Sequence, residues 1–117
     1  MIIFTLFMIG CSSKQPIKSM SSTIIIKTPT MKYYDKGFIF YYKDYIKLQL
    51  LNIGKIVLDL EIYPNKVCKS TFKCVSSQNF NKEYLHGTYN DDFLYKLFQR
   101  KKINYRDKKN NILIKVK

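Results

Sequence analysis

Three cysteines and a single histidine have the widest range of chemistry in this sequence: Cys11, Cys68, Cys74 and His86. Cys68 and Cys74 enclose five residues that are predicted to form a short hairpin loop. In an oxidising compartment we expect these two thiols to form a disulfide, which stabilises a small domain by roughly 2–3 kcal/mol. The alternatives are two free structural thiols or a reactive pair, although redox motifs usually space their cysteines two residues apart. A zinc site needs about four ligands, so the sequence predicts no metal site.

His86 is the candidate general base, but the sequence indicates no partner for it. It precedes Gly87 at a predicted helix end, where a histidine usually caps the helix or lies on the surface. Catalysis would require a nucleophile and a residue that orients the base, and neither can be identified. The chain also contains no Gly-rich phosphate-binding loop. We therefore expect a protein that is not an enzyme, with no catalytic residues and no cofactor.

The N-terminal segment is a short apolar run, residues 2–10, that ends at Gly10 directly before Cys11. It is much shorter than the ~20 residues needed to span a bilayer, but its length is typical of the apolar region of a secretory signal. The tetrapeptide Met8-Ile9-Gly10-Cys11 resembles a lipobox, the motif that lipoprotein signal peptidase cleaves. The resemblance implies a small bacterial lipoprotein with a signal peptide over residues 1–10 and a lipid on the sulfur of Cys11. The alternative is a buried N-terminal strand that contains a cysteine by chance.

The segment after Cys11 is polar and rich in serine. Residues 11–22 are predicted to form the lipidated cysteine and a flexible tether, and residues 23–117 a single domain. In lipoproteins with a known sorting rule, an Asp after the lipidated cysteine retains the protein in the inner membrane. Ser12 occupies that position here. The resemblance therefore implies an outer-membrane lipoprotein whose domain faces the periplasm.

The middle of the chain alternates apolar and polar residues with a period of two. Residues 45–51 and 55–63 show this alternation most strictly, with Ile56, Leu58, Leu60 and Ile62 on the apolar side. A period of two indicates antiparallel strands with one buried and one solvated face, and the turn residues at 52–54 predict a hairpin. Further strands are predicted over residues 23–27, 37–43 and 111–116, and residues 67–68 and 74–75 are predicted to flank the loop of a small hairpin.

Two short helices are predicted after these strands. Ser76 and Ser77 can cap a helix over residues 78–85, and Asn90 or Asp91 can cap a second helix over residues 92–101. In the second helix, apolar residues recur at helical spacing on one face. The expected fold is α+β: a curved antiparallel sheet of about five or six strands with one face covered by one or two short helices.

This order of elements resembles the LolB-type lipoprotein carriers and receptors, which form an open half-barrel. Residues 37–62 correspond to the early strands of that fold and residues 93–103 to its crossing helix. The resemblance implies binding of acyl chains or of other lipoproteins. Aromatic residues at 33–34 and 38–45 either line an acyl-chain cavity of this kind or fill the core of a small domain.

The chain carries 21 Lys and Arg against 8 Asp and Glu, a formal net charge of +13. Such a charge favours anionic partners, and in an envelope the candidates are anionic lipid, lipopolysaccharide or another lipoprotein. Nucleic acid is the alternative if the chain is an unlipidated cytosolic module. The alternatives are a solvated basic surface and a bias from AT-rich codons. Between Lys96 and Lys117 there are nine basic residues and a single acid, Asp107. The candidate ligand-binding residues are Tyr41, Tyr42, Lys96, Arg100, Lys101 and Lys102.

Overall fold

The computed structural model describes residues 15–70 and 73–117. The signal peptide, Cys11 and Ser12 lie outside these residues, so the predictions made for them stay predictions. The strands are β1 Lys18–Lys27, β2 Lys32–Tyr41, β3 Ile46–Asn52, β4 Lys55–Ile62, β5 Lys66–Lys69, β6 Lys73–Ser76, β7 Asn104–Asp107 and β8 Ile112–Val116. The helices are α1 Ser77–Tyr84 and α2 Phe93–Leu97. Neither helix of the described ranges is long and apolar enough to cross a membrane.

All eight strands belong to one open antiparallel sheet, with the order β6-β5-β4-β3-β2-β1-β8-β7. The expected antiparallel sheet with short helices is therefore confirmed, but the expected number of five or six strands is wrong. Strand β7 has no counterpart among the predicted segments, and its sequence Asn-Tyr-Arg-Asp contains a single aromatic and no aliphatic residue. Because β7 lies at the edge of the sheet, it can be polar, and hydrophobic periodicity does not reveal it.

Strand β1 begins five residues before the predicted domain boundary at Thr23. Residues Lys18–Ser22, which were expected to belong to the tether, pair in register with Gly37–Tyr41 of β2. The side chain of Met20 packs against the core, whereas Ser19 and Ser21 are exposed. A serine-rich segment can therefore join the sheet, because alternate positions of a strand on a half-solvated sheet can be polar.

The core lies on one face of the sheet, beneath the two helices. Phe80 of α1, Leu97 of α2 and Phe98 are each only 1% exposed. They pack against aliphatic side chains from the sheet: Ile24, Ile26, Ile39, Ile46, Leu48, Leu50, Leu58, Leu60, Ile62, Val67, Ile112 and Ile114. The interior between sheet and helices is therefore occupied by side chains of the protein itself.

Helix α1 begins as predicted, and α2 is shorter than predicted. The Ser76 hydroxyl accepts a hydrogen bond from the backbone N–H of Asn79 at 3.1 Å, the interaction of an N-terminal cap. Helix α2 ends at Leu97 instead of residue 101, and Asp92 precedes it without a side-chain capping bond. The chain turns there because Phe98 and Ile103 are both buried in the core, and a continued helix could not place both in it.

The hairpin predicted between β3 and β4 is present, with Asn52 paired to Lys55 across a two-residue turn. Both central residues have a positive φ, 50° at Ile53 and 76° at Gly54. This conformation is favourable for Gly or Asn and costly for a β-branched residue such as isoleucine. A β-bulge then shifts the register, so that Leu50 pairs with Leu58 but Leu51 pairs with Ile56.

The β-bulge makes one sequence-based prediction wrong. Ile56 was expected to be buried together with Leu58, but 54% of its surface is exposed. A shift of one residue moves a side chain to the opposite face of the sheet. The bulge therefore removes Ile56 from the core face, which alternation alone assigns to it.

Candidate anion-binding face

The sheet has a second face, opposite the core, that the described helices do not cover. Along β2, Tyr33, Ile39 and Tyr41 pack on the core side. Because successive side chains of a strand point to opposite faces, the even-numbered residues of β2 lie on the uncovered side. They are Lys32, Tyr34, Lys36, Phe38 and Phe40. The pairing register then identifies their neighbours on β1, β8 and β7.

Six cations lie on this uncovered side of the four strands β7, β8, β1 and β2. We call them the basic face: Lys27, Lys32, Lys36, Arg106, Lys115 and Lys117. Every residue of these four strands is described, and none of the acids they contain lies on this side. Within the described ranges, the salt bridge found joins Lys96 to Asp92, and no cation of the basic face takes part in it. None of these six described cations is paired with a carboxylate, so they are available to an anionic partner, and Lys117 also contacts Tyr34.

Aromatic rings alternate with the lysines along β2. Tyr34 is 58% exposed and Phe38 is 39% exposed, and the ring centroids of Phe38 and Phe40 are 6.0 Å apart. The Nζ of Lys117 lies 5.4 Å from the centroid of the Tyr34 ring and donates a hydrogen bond to its hydroxyl at 3.2 Å. Tyr34, Phe38 and Phe40 therefore neither fill the core nor face the space beneath the helices, because they lie on the opposite face of the sheet.

Ile25 is the aliphatic centre of the basic face. It pairs with Tyr34 on one side and with Lys115 on the other, and it is only 5% exposed although no helix covers it. Long side chains of lysine and tyrosine can cover apolar surface with their stems while their polar ends stay in water. The basic face therefore combines a small apolar centre with a charged rim.

Two concavities interrupt the basic face. One has a volume of about 360 Å³ and is lined by Lys27 and Arg106 together with residues of the β7–β8 turn. The other has a volume of about 500 Å³, lies beside the β3–β4 turn, and is lined by Tyr34, Lys36 and Ile53 among others. Both place cations beside apolar side chains, and each is also lined by one acid, Asp107 in the first and Asp35 in the second.

The basic face ends at β3 and β4, where acids appear. Glu61 pairs with Lys47, and Asp59 pairs with Gln49. Beyond them, the ring centroid of Tyr45 lies 4.6 Å from that of Tyr42 and 4.9 Å from that of Tyr63. Burial, followed by the nearby Glu61 carboxylate, raises the pKa of Tyr45 and of Tyr63. On the uncovered side, β3 to β5 therefore carry two acids, Asp59 and Glu61, beside Lys47 and Lys66, and they do not extend the basic face.

The candidate residues identified from the sequence do not come together in one site. Tyr41 packs on the core side, where its hydroxyl donates a 2.6 Å hydrogen bond to the Phe98 carbonyl and burial raises its pKa. Tyr42 belongs to the stack of three tyrosines. The four basic candidates are exposed, but they lie in α2 and the turn after it, in the helical layer: Lys96, Arg100, Lys101 and Lys102. The sequence analysis missed the basic face, and the alternation of lysine with aromatic residues along β2 is the sequence signal that could have revealed it.

The predicted disulfide is present between Cys68 and Cys74, which pair opposite each other on β5 and β6. His86 is exposed, and its Nδ1 lies 2.8 Å from the hydroxyl oxygen of Thr88. In the described ranges, no three His, Cys, Asp or Glu residues form a group that could hold a metal ion.

A polar cluster on the other side of β7 fixes the loop before α2 to the sheet. The hydroxyl of Tyr89 donates to the carboxylate of Asp107, which also accepts from the side-chain amide of Asn110 at 2.8 Å. The hydroxyl of Tyr105 donates to that of Tyr89 at 3.1 Å. The hydrogen bond from Tyr89 is the main cause that lowers the pKa of Asp107, whereas burial is the main cause that raises the pKa of Tyr89.

Asp107→Asn is expected to lower the melting temperature Tm at neutral pH, and the difference from wild type is expected to shrink below about pH 4. Because the folded pKa lies below the unfolded one, the carboxylate stabilises the fold above the unfolded pKa, and this contribution disappears as the pH falls through the folded pKa. Thermal unfolding between pH 3 and pH 8 measures it, with Asp91→Asn at an exposed position as the control. A difference that does not change with pH would contradict this role of Asp107.

No protein-family model, no curated protein and no solved structure matches this chain. The functional conclusions therefore depend on the geometry and charge of the chain's own residues.

Proposed function

We propose that this protein is a non-enzymatic, membrane-anchored envelope lipoprotein that binds an anionic envelope component through the basic face. The observation that carries the proposal is the set of six cations on the uncovered side of β7, β8, β1 and β2, with no acid among them. A basic residue near an anionic surface contributes about 1 kcal/mol to binding. Six such residues on one side of a sheet provide a substantial electrostatic contribution.

Acyl-chain binding between the sheet and the helices, as in a LolB-like carrier, has less support. Such a carrier needs an open apolar cavity. In this protein, Phe80, Leu97 and Phe98 fill that space and are almost completely buried. We therefore limit the proposal to an anionic ligand that binds on the outer face of the sheet.

The membrane anchor at Cys11 is a separate part of the proposal and is supported by the lipobox-like tetrapeptide at residues 8–11. The disulfide between Cys68 and Cys74 is typical of exported proteins and agrees with it. Metabolic labelling with palmitate, followed by membrane fractionation, tests it by comparing wild type with Cys11→Ala. We expect a labelled, membrane-bound wild type and an unlabelled variant. An unlabelled wild type in the soluble fraction would contradict the anchor.

Charge reversal tests the basic face. In the full chain carrying Cys11→Ser, the triple variant Lys32→Glu, Lys36→Glu, Lys115→Glu is expected to bind vesicles of phosphatidylglycerol, or soluble dextran sulfate, on the order of 100-fold more weakly. The matched control reverses three cations outside the face, Lys73, Lys82 and Lys101, so that the net charge is identical. Equal losses in the two triple variants would show that net charge alone determines binding, and would contradict the proposal.

Single-stranded nucleic acid is a second candidate ligand, favoured by the alternation of rings and cations along β2. Proteins that bind single strands combine stacking aromatic side chains with a positively charged surface. This function requires an unlipidated cytosolic protein, and a disulfide is uncommon there. Tight binding of an oligonucleotide that Tyr34→Ala and Phe38→Ala both weaken would favour this alternative.

A further inference from the structure

The turn between β3 and β4 carries an exposed aliphatic surface. Ile53 is 96% exposed, Ile56 is 54% exposed and Val57 is 41% exposed. We call these three residues the apolar tip. Isolated apolar residues on a surface are normal, but three exposed aliphatic residues within five positions of one hairpin are a feature that suits a partner or a membrane.

Folding does not explain the presence of Ile53 in this turn. The residue has a φ of 50°, which a β-branched side chain rarely adopts, and it is almost fully exposed, so it buries little surface in return. The β-bulge beside it places Ile56 outside the core as well. Bulges commonly redirect side chains next to functional sites. Backbone conformation and register thus both expose aliphatic groups at the same end of the hairpin.

The apolar tip is continuous with the basic face. Thr23 of β1, Lys36 of β2, Leu51 of β3 and Ile56 of β4 follow one another in a single pairing row across the sheet. The concavity of about 500 Å³ joins the two surfaces, since Tyr34 and Lys36 line it together with Ile53. Lys55 adds a further exposed cation within the turn.

We infer that the anionic component bound by this protein is the surface of a lipid bilayer, with the apolar tip inserted among the lipids and the basic face against the head groups. The inference rests on the proposed function and names its ligand. Aliphatic side chains have no ring to stack on a sugar or a base and no hydrogen bond to offer, so an anionic polymer would leave the tip in water. A bilayer accepts both parts, as interfacial elements with apolar and basic residues show.

The chain contains no tryptophan, so a single introduced tryptophan reports on its own surroundings. In the full chain carrying Cys11→Ser, Ile53→Trp is expected to shift its emission to the blue and to be quenched by brominated lipid, on vesicles containing phosphatidylglycerol but not on pure phosphatidylcholine. The matched control is Val75→Trp on the edge strand β6, which is 45% exposed and lies away from the tip. We expect neither a shift nor quenching at position 75.

The outcomes distinguish the inference from the proposed function. Quenching at position 53 but not at position 75 supports insertion of the tip. Sedimentation with vesicles without quenching at position 53, or with equal quenching at both positions, overturns the inference and leaves binding through the basic face intact. Binding to dextran sulfate without binding to vesicles likewise overturns insertion of the tip and leaves anion binding by the basic face intact. If the Cys11→Ser chain without further substitutions binds neither vesicles of phosphatidylglycerol nor dextran sulfate, the inference and the proposed function both fail.

Ile53→Asn provides a second variant whose effect cannot result from unfolding. Asn-Gly is the preferred pair for this turn, so the variant is expected to fold with an unchanged or higher Tm. It removes an aliphatic side chain from the tip and is expected to weaken binding to phosphatidylglycerol vesicles about tenfold, with binding to dextran sulfate unchanged. Unchanged binding to vesicles would overturn the inference.

Discussion

Gly37→Ala is expected to destabilise the fold by about 3 kcal/mol, because the sheet leaves no space for a side chain at this position. Gly37 lies on the core side of β2. An added Cβ would overlap the backbone carbonyl oxygen of Gln49 on β3 and would lie 2.7 Å from Cδ2 of Leu50. A second close approach, 3.0 Å, involves Cδ1 of Ile24 on β1. Since the first obstacle is backbone, a change of rotamer cannot relieve it.

Urea unfolding measures the loss in the free energy of unfolding. In thermal unfolding, the expected fall in Tm is on the order of 12 °C or more. Gly87→Ala is the matched control. A Cβ at Gly87 would lie 3.2 Å from Cγ of Lys82, which belongs to a flexible exposed side chain that can move away. A small effect of Gly37→Ala, similar to that of the control, would mean that β2 and β3 are not packed as closely as described.

Phe98→Ala is expected to lower the free energy of unfolding by about 3–5 kcal/mol, the usual cost of removing a buried aromatic side chain. Phe98 directly follows α2, is 1% exposed and belongs to the cluster between the helices and the sheet. Its carbonyl also accepts the hydrogen bond from Tyr41. Truncation leaves a cavity that the surrounding strands cannot close completely.

Urea unfolding of Phe98→Ala measures this cost and also tests whether side chains fill the space between the sheet and the helices. Phe38→Ala is the matched control, because it removes the same side chain from the solvated face, where 39% of it is exposed, and we expect it to cost about 1 kcal/mol or less. If Phe98→Ala were as mild as Phe38→Ala, the space beneath the helices would be an open groove instead of a packed core. An acyl-chain ligand would then become the stronger proposal.

The local elements of this protein follow largely from its sequence. Strict alternation around Leu48 and Leu60 determines the central hairpin, and Ser76 marks the start of α1. The disulfide was predictable because Cys68 and Cys74 enclose a short hairpin, and such a hairpin places them opposite each other. These features depend on residues close together in the chain, so local periodicity, capping and turn chemistry determine them.

Tertiary structure decided the features on which the functional proposals depend. The polar strand β7 and the serine-rich start of β1 are strands because neighbouring strands supply their hydrogen bonds. The alternation of apolar and polar residues does not predict that pairing. The basic face collects Lys27, Arg106 and Lys115 from distant parts of the chain, and only the strand order makes them neighbours. The exposure of Ile56 depends on a β-bulge, and one extra residue in a strand reverses the face that alternation predicts. The sequence by itself therefore determined most of the local elements and the excess of positive charge, whereas the pairing of distant strands determined where that charge and the exposed aliphatic groups lie.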